Sequence, residues 1–145
     1  MTEQTTQQMV IAATPEQCWA VVTDFAHYPA WAGDLKSVVV HERDDRGRGL
    51  EVTFRAAAFG RSTSYTLRYD YAEAPRVLSW VSTAGDITSR IDGTYVFEEQ
   101  AGTTLVTYHL AVDLRLPVPS FIKRRAEGRI IHTALRDLKA RVEGA

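Results

Sequence analysis

The chain has 145 residues, 45% of them apolar and 24% charged, with a formal net charge of −1. That length suits one domain over residues 1–145, large enough to bury a core without disulfide or metal staples. The single cysteine, Cys18, excludes an internal disulfide framework, and the near-neutral charge gives no electrostatic case for nucleic acid.

In chain order, the start Met1-Thr2-Glu3-Gln4-Thr5-Thr6 has neither the basic residues nor the apolar stretch of a secretory signal. The first apolar run, Met9 to Ala13, is far shorter than the roughly 20 residues of a membrane-spanning helix. The expectation is a soluble cytoplasmic protein with no stable membrane insertion. Residues 5–13 read as a first strand. Thr14-Pro15-Glu16-Gln17 then starts a helix: Thr14 can cap, Pro15 suits the first position, and Gln17 can reach back in a capping box. Cys18, Val21, Val22 and Phe25 follow at helical spacing and predict a buried face over residues 15–25. Asp24 to Trp31 reads as a break and a short second helix, with three aromatics in eight residues.

From Lys36 to about Arg115 the period becomes two. Leu50, Val52 and Phe54 alternate with Glu51 and Thr53; Tyr65, Leu67, Tyr69 and Tyr71 alternate with Thr66, Arg68 and Asp70. Val77–Thr83 is a further strand. Ile87, Ile91, Tyr95 and Phe97 share an inward parity opposed to Thr88, Arg90, Asp92 and Thr94. Val106, Tyr108, Leu110, Val112 and Leu114 share one parity in the last strand. Turn chemistry at Asp44–Gly47, Gly60-Arg61, Glu73–Arg76, Gly85-Asp86 and Gln100–Gly102 separates these segments. Six such segments predict a continuous antiparallel meander.

Pro117-Val118-Pro119 ends the sheet, and a helix of about 24 residues follows, spanning roughly 36 Å. Ile130, Ile131, Ala134, Leu135, Leu138 and Val142 form one apolar stripe, but its continuation toward the N-terminus meets Lys123, Arg124, Glu127 and Gly128. Two explanations fit. Either residues 120–128 rim a pocket, or a kink at Gly128 rotates the first half to bury Phe121 and Ile122. The helix is also where the charge gathers. Residues 1–114 carry nine Lys/Arg against 15 Asp/Glu, a balance of −6, and residues 115–145 carry eight against three, a balance of +5. A basic solvated face over an acidic sheet accounts for this, and so does a surface for an acidic partner, a membrane or an anionic ligand.

No phosphate-binding glycine loop, nucleophile elbow or metal-ligand spacing occurs, and no metal or cofactor is expected. The distinctive feature is amphipathic aromatics at inward positions: Tyr65, Tyr69, Tyr95 and Tyr108 beside Phe54, Leu67, Trp80 and Ile91. Their polar tips need partners. Either these tyrosines bond to neighbouring backbone and fill the core, or some present hydroxyls to a ligand in an apolar cavity. Trp31, Leu110, Phe121 and Ile122 complete the expected apolar lining, and Ser82 and Ser89 add hydrogen bonds. Of the four histidines only His27, beside Tyr28 and Trp31, has a place at a pocket mouth. Tyr65 and Glu127 are the candidates for proton transfer, although a surface ion pair of Glu127 with Lys123 explains that spacing as well.

The order strand, helix, short helix, six strands, long helix resembles the α+β helix-grip fold, a curved antiparallel sheet of about seven strands wrapped around a C-terminal helix. This is the superfamily of START domains, Bet v 1-like proteins and polyketide cyclase/dehydrase-like (SRPBCC) proteins. The segments that carry the resemblance are Thr14–Glu16, Asp24–Trp31, Gly93–Phe97 and Ala126–Val142; Ala111–Leu114 and Lys123–Arg125 are similar to small actinobacterial members. The resemblance implies a cavity between sheet and helix that binds a hydrophobic small molecule such as a lipid, polyketide or quinone. Some relatives are aromatase/cyclases acting on a chain held by an acyl carrier protein, which the basic helix would then meet. No catalytic set of those enzymes maps onto this chain residue by residue, so the resemblance leaves the chemistry open.

Overall fold

The computed structural model describes residues 4–58 and 61–144. Its elements are β1 (Thr5–Ile11), α1 (Pro15–Val22), a 3₁₀ turn (Phe25–His27), α2 (Tyr28–Trp31), β2 (Leu35–Arg43), β3 (Gly49–Ala58), β4 (Arg61–Asp70), β5 (Val77–Gly85), β6 (Thr88–Gln100), β7 (Thr103–Leu114) and α3 (Ser120–Glu143). Strands run antiparallel in the order β1-β7-β6-β5-β4-β3-β2, so β2 to β7 form a meander and β1 returns beside β7. This is the helix-grip fold. Of the expected turn at Gly60-Arg61, Gly60 lies outside the described residues, and Arg61 opens β4.

The start of α1 follows its capping chemistry. Thr14 Oγ1 accepts the Gln17 amide at 3.2 Å, and Gln17 Oε1 accepts the Thr14 amide at 2.9 Å. The helix is shorter than the spacing predicts, because Asp24 breaks it after Val22 and Phe25 enters the core from the 3₁₀ turn. Irregular register between β2 and β3, at Thr66/Leu67 and at Thr88/Arg90 helps curve the sheet. The last of these corrects an expected parity. An extra residue at Ser89 puts Thr88 inside with Ile91 and leaves Ser89 exposed.

α3 packs chiefly on β1 and β7, burying Ile131, Leu135, Leu138 and Val142. Neither explanation of its broken stripe holds. The helix is continuous through Gly128, Phe121 and Ile122 stay exposed, and the inward arc simply continues to Glu127, which is 0% exposed. The Glu127 carboxylate accepts the Thr5 hydroxyl at 2.7 Å and the Val112 amide at 2.6 Å. Val112 lies past the described β1–β7 ladder, which ends at Thr5↔Leu110, so a side chain supplies the acceptor there. Lys123 pairs with Asp113 at 2.7 Å instead of with Glu127. Gln7 Nε2 donates to the Gly128 carbonyl at 3.1 Å, tying β1 to the same turn of α3.

Candidate functional site

A cavity of about 180 Å³ lies between α3, the α2–β2 segment and the concave face of the sheet. The strands bring most of the side chains to it, and their types follow from strand alternation. From β3 and β4 come Phe54, Ala56, Tyr65, Leu67 and Tyr69; from β5 to β7 come Trp80, Thr88, Ile91, Tyr95, Tyr108 and Val112. Ala57 and Thr63 line the end of the β3–β4 hairpin. The helical side supplies Ile130, Thr133, Ala134 and Asp137 from α3 and Tyr28 and Trp31 from α2. Its exposed lining residues, Gly33, Asp34, Ala57 and Ile130, mark the mouth.

Nine residues singled out from the sequence meet here: Trp31, Phe54, Tyr65, Leu67, Tyr69, Trp80, Ile91, Tyr95 and Tyr108. Seven do not line the cavity. Glu127 is occupied between β1 and β7, and Leu110 is fully buried in the core. Phe121 and Ile122 start α3 on its outer side. The Ser82 hydroxyl accepts the Ile91 amide at 2.9 Å while the Ser82 amide reaches Asp92 Oδ1 at 3.0 Å, which holds β5 to β6 beyond their ladder. Ser89 faces outward at the bulge, and His27, exposed and 2.8 Å from Asp24, also lies away from the lining. The pocket therefore flanks the second half of α3, Ile130 to Asp137, and not the first half. Sequence reading missed Thr133 and Asp137 because they sit beside the apolar stripe, where helical spacing alone suggests solvent. Tyr28 carried a signal, the aromatic density of residues 24–31.

The rings form a continuous wall. Phe54 stacks on Tyr65 with centroids 5.6 Å apart, Tyr69 lies 5.7 Å from Trp80, and Tyr95 lies 4.5 Å from Tyr108. The Trp80 indole packs directly against Gly93, where a Cβ would come within 2.4 Å of Cζ2, so β6 needs glycine at this point.

The polar groups are unevenly satisfied. Tyr28 donates to the Val22 carbonyl. Among the described residues, no protein group is hydrogen-bonded to the hydroxyls of Tyr65, Tyr69, Tyr95 or Tyr108, and the buried Trp80 Nε1 has no acceptor. Burial pushes the phenols of Tyr28, Tyr69, Tyr95 and Tyr108 well above their ordinary value, and the neighbouring phenols push them further. Burial raises Tyr65 too, with the charge of Asp34 adding to it. These groups are therefore neutral hydroxyls at physiological pH, suited to hydrogen bonding and poorly suited to proton abstraction. The ionisable lining groups other than phenols are Asp34 and Asp137. Asp137 Oδ2 accepts the Gly33 amide at 3.2 Å and so ties the mouth segment to α3.

Among the described residues, no helix is long and apolar enough to cross a membrane. A START superfamily protein from Mycobacterium smegmatis superposes with a TM-score of 0.92 at 22% identity, covering 97% of each chain. The ZhuI aromatase/cyclase from Streptomyces sp. R1128 gives 0.85 at 16% identity, over 99% of this chain and 94% of its own. TTHA0849 from Thermus thermophilus gives 0.79 at 20% identity, over 97% of both. At these identities the likeness is one of fold. No curated protein sequence matches the chain significantly. The family described as polyketide cyclase/dehydrase and lipid transport matches residues 2–143, and with a helix-grip sheet closed by α3 over an apolar, phenol-studded cavity the chain belongs to that family.

Proposed function

We propose that this protein binds a compact, largely apolar molecule bearing oxygen atoms in the cavity beneath α3, with Trp31, Phe54, Leu67, Trp80 and Ile91 packing on its rings and tyrosine hydroxyls holding its oxygens. The observation that carries this reading is the set of four phenol hydroxyls without protein partners on an otherwise apolar wall. Hydroxyls removed from bulk water cost free energy until something bonds to them, and a ligand carbonyl or hydroxyl does so. The volume, about 180 Å³, exceeds the roughly 150 Å³ that accommodates benzene, which points to about one to two rings.

The test is a titration with matched bicyclic ligands, an aromatic ketone and its parent hydrocarbon, read by the fluorescence of Trp31 and Trp80. Wild type is expected to prefer the ketone, and the Tyr95→Phe, Tyr108→Phe double variant to lose that preference by about fivefold to tenfold while still binding the hydrocarbon. Equal affinities for both ligands in both proteins would remove the phenols from recognition.

A second reading is supported by the family description and by the likeness to an aromatase/cyclase. In it the cavity folds a reactive chain delivered by an acidic carrier protein that meets the basic α3, and the phenols orient its carbonyls. Tyr65, stacked on Phe54, is then the candidate for assisting proton movement, while Glu127 is outside the lining. Incubation with a carrier-bound poly-β-keto chain is expected to change the product distribution, and Tyr65→Phe to change it again. Products identical with and without the protein would eliminate this reading and leave simple binding untouched.

A further inference from the structure

The two most exposed large apolar side chains of the described residues are Leu116, at 67%, and Phe121, at 64%, and Ile122 beside Phe121 is 41% exposed. They bracket the Pro117–Pro119 segment between β7 and α3. From Leu114 to Ala126 every charged residue is cationic: Arg115, Lys123, Arg124 and Arg125. Lys123 is engaged by Asp113 and Arg115 by the Gly85 carbonyl, while Arg125 and Arg129 are exposed on α3. This patch stands at the cavity's open end. The end of the sheet where β7 finishes is also where β3 finishes, just past the mouth residue Ala57, and where β4 and β6 begin, and these contribute mouth and lining residues. On α3, Ile122, Ala126 and Ile130 are four residues apart and run along one face toward the mouth residue Ile130.

We infer that this end of the molecule docks on an anionic lipid surface. Leu116, Phe121 and Ile122 enter the boundary between headgroups and acyl chains, and the exposed arginines face the anionic headgroups. Charge chooses the sign of the partner; the apolar tips choose its kind. These side chains stand out from the protein instead of lining a groove, so they suit a deformable apolar phase that needs no matching shape. An acidic carrier protein recognised by charge alone gives Leu116 and Phe121 no role. With the mouth at the same end, a ligand passes between bilayer and cavity without crossing water; that passage rests on the ligand-binding reading, whereas the docking does not.

Flotation with phosphatidylcholine vesicles, with and without phosphatidylglycerol, tests the docking on the full chain in the absence of ligand. Wild type is expected to float with the anionic vesicles and to be released progressively by salt. The Leu116→Ser, Phe121→Ser variant should bind about tenfold more weakly or worse, and Arg125→Glu should weaken binding by about tenfold. All three positions are exposed, so circular dichroism and the thermal midpoint should stay at wild-type values. Failure of wild type to float with anionic vesicles at low salt would overturn the proposal, as would flotation unchanged in the Leu116→Ser, Phe121→Ser variant. Arg125-dependent capture of a purified acidic carrier protein, without vesicle binding, would overturn it in favour of a protein partner. Ligand titration followed by Trp31 and Trp80 fluorescence reports separately on the cavity, so either reading can fail alone.

Discussion

The hydroxyls of Tyr65, Tyr69, Tyr95 and Tyr108 have no protein partner to lose, and among the described residues only Trp80 Nε1 is both fully buried and unpartnered. Tyr95→Phe or Tyr108→Phe is therefore expected to leave the ligand-free protein as stable as wild type or up to about 1 kcal/mol more stable in urea unfolding. A loss above about 2 kcal/mol would show that the hydroxyl is bonded within the protein. Glu127 behaves in the opposite way. Glu127→Ala removes the acceptor for both the Thr5 hydroxyl and the Val112 amide, and is expected to cost about 2–4 kcal/mol. Glu127→Gln keeps one acceptor oxygen and should cost less; an alanine variant of wild-type stability would contradict the clamp. The phenols also set an alkaline limit. Their folded pKa values are raised above the unfolded value of about 10. The stability they contribute is thus complete below that pH and lost as pH climbs toward the folded values, because the unfolded chain releases these protons first. Phenolate absorbance from the cavity tyrosines should rise in step with the loss of near-ultraviolet dichroism, and ionisation in a still-folded protein would refute their burial.

At the scale of elements, strand number, strand order and the long helix were legible because alternation and turn chemistry are local. Gly93-Thr94-Tyr95-Val96-Phe97 shows the depth of that signal: the glycine is there because an indole lies on it, and the odd positions face inward. What was not legible depends on contacts remote in sequence. The bulge at Ser89 reverses the parity of Thr88, and no property of Ser89 announces it. Glu127 reads as a gap in an apolar stripe until β1 and β7 arrive to bond it. Asp137 reads as a solvated helix residue until Gly33 is placed beside it, 104 residues away. That last bond gives a prediction for the α2–β2 segment. Asp137→Ala should speed hydrogen exchange at the Gly33 amide and raise ligand association and dissociation rates together, with stability changed by less than about 1 kcal/mol. Unaltered exchange at Gly33 would show that the bond does not hold the mouth.

On the scale of the whole molecule, the sheet curves, α3 packs chiefly on β1 and β7, and the space left over lies beside it, under β3 to β7 and α2. The cavity is a consequence of that geometry, and composition decides its character: aromatic rings supply the wall and their hydroxyls supply the few polar groups. The location of the gap was read from the sequence at the wrong end of α3, since a break in helix amphipathicity and a space beneath a helix are different things. Ala134 sits at the helical wall of this gap, so enlarging it removes the cavity while leaving the sheet and its phenols in place. The most direct measurement is a ligand titration of wild type and Ala134→Phe by tryptophan fluorescence and calorimetry. Wild type is expected to saturate at one ligand per chain and Ala134→Phe to bind at least about tenfold more weakly with its fold retained. Equal, saturable binding by both proteins would place the ligand elsewhere and contradict the account.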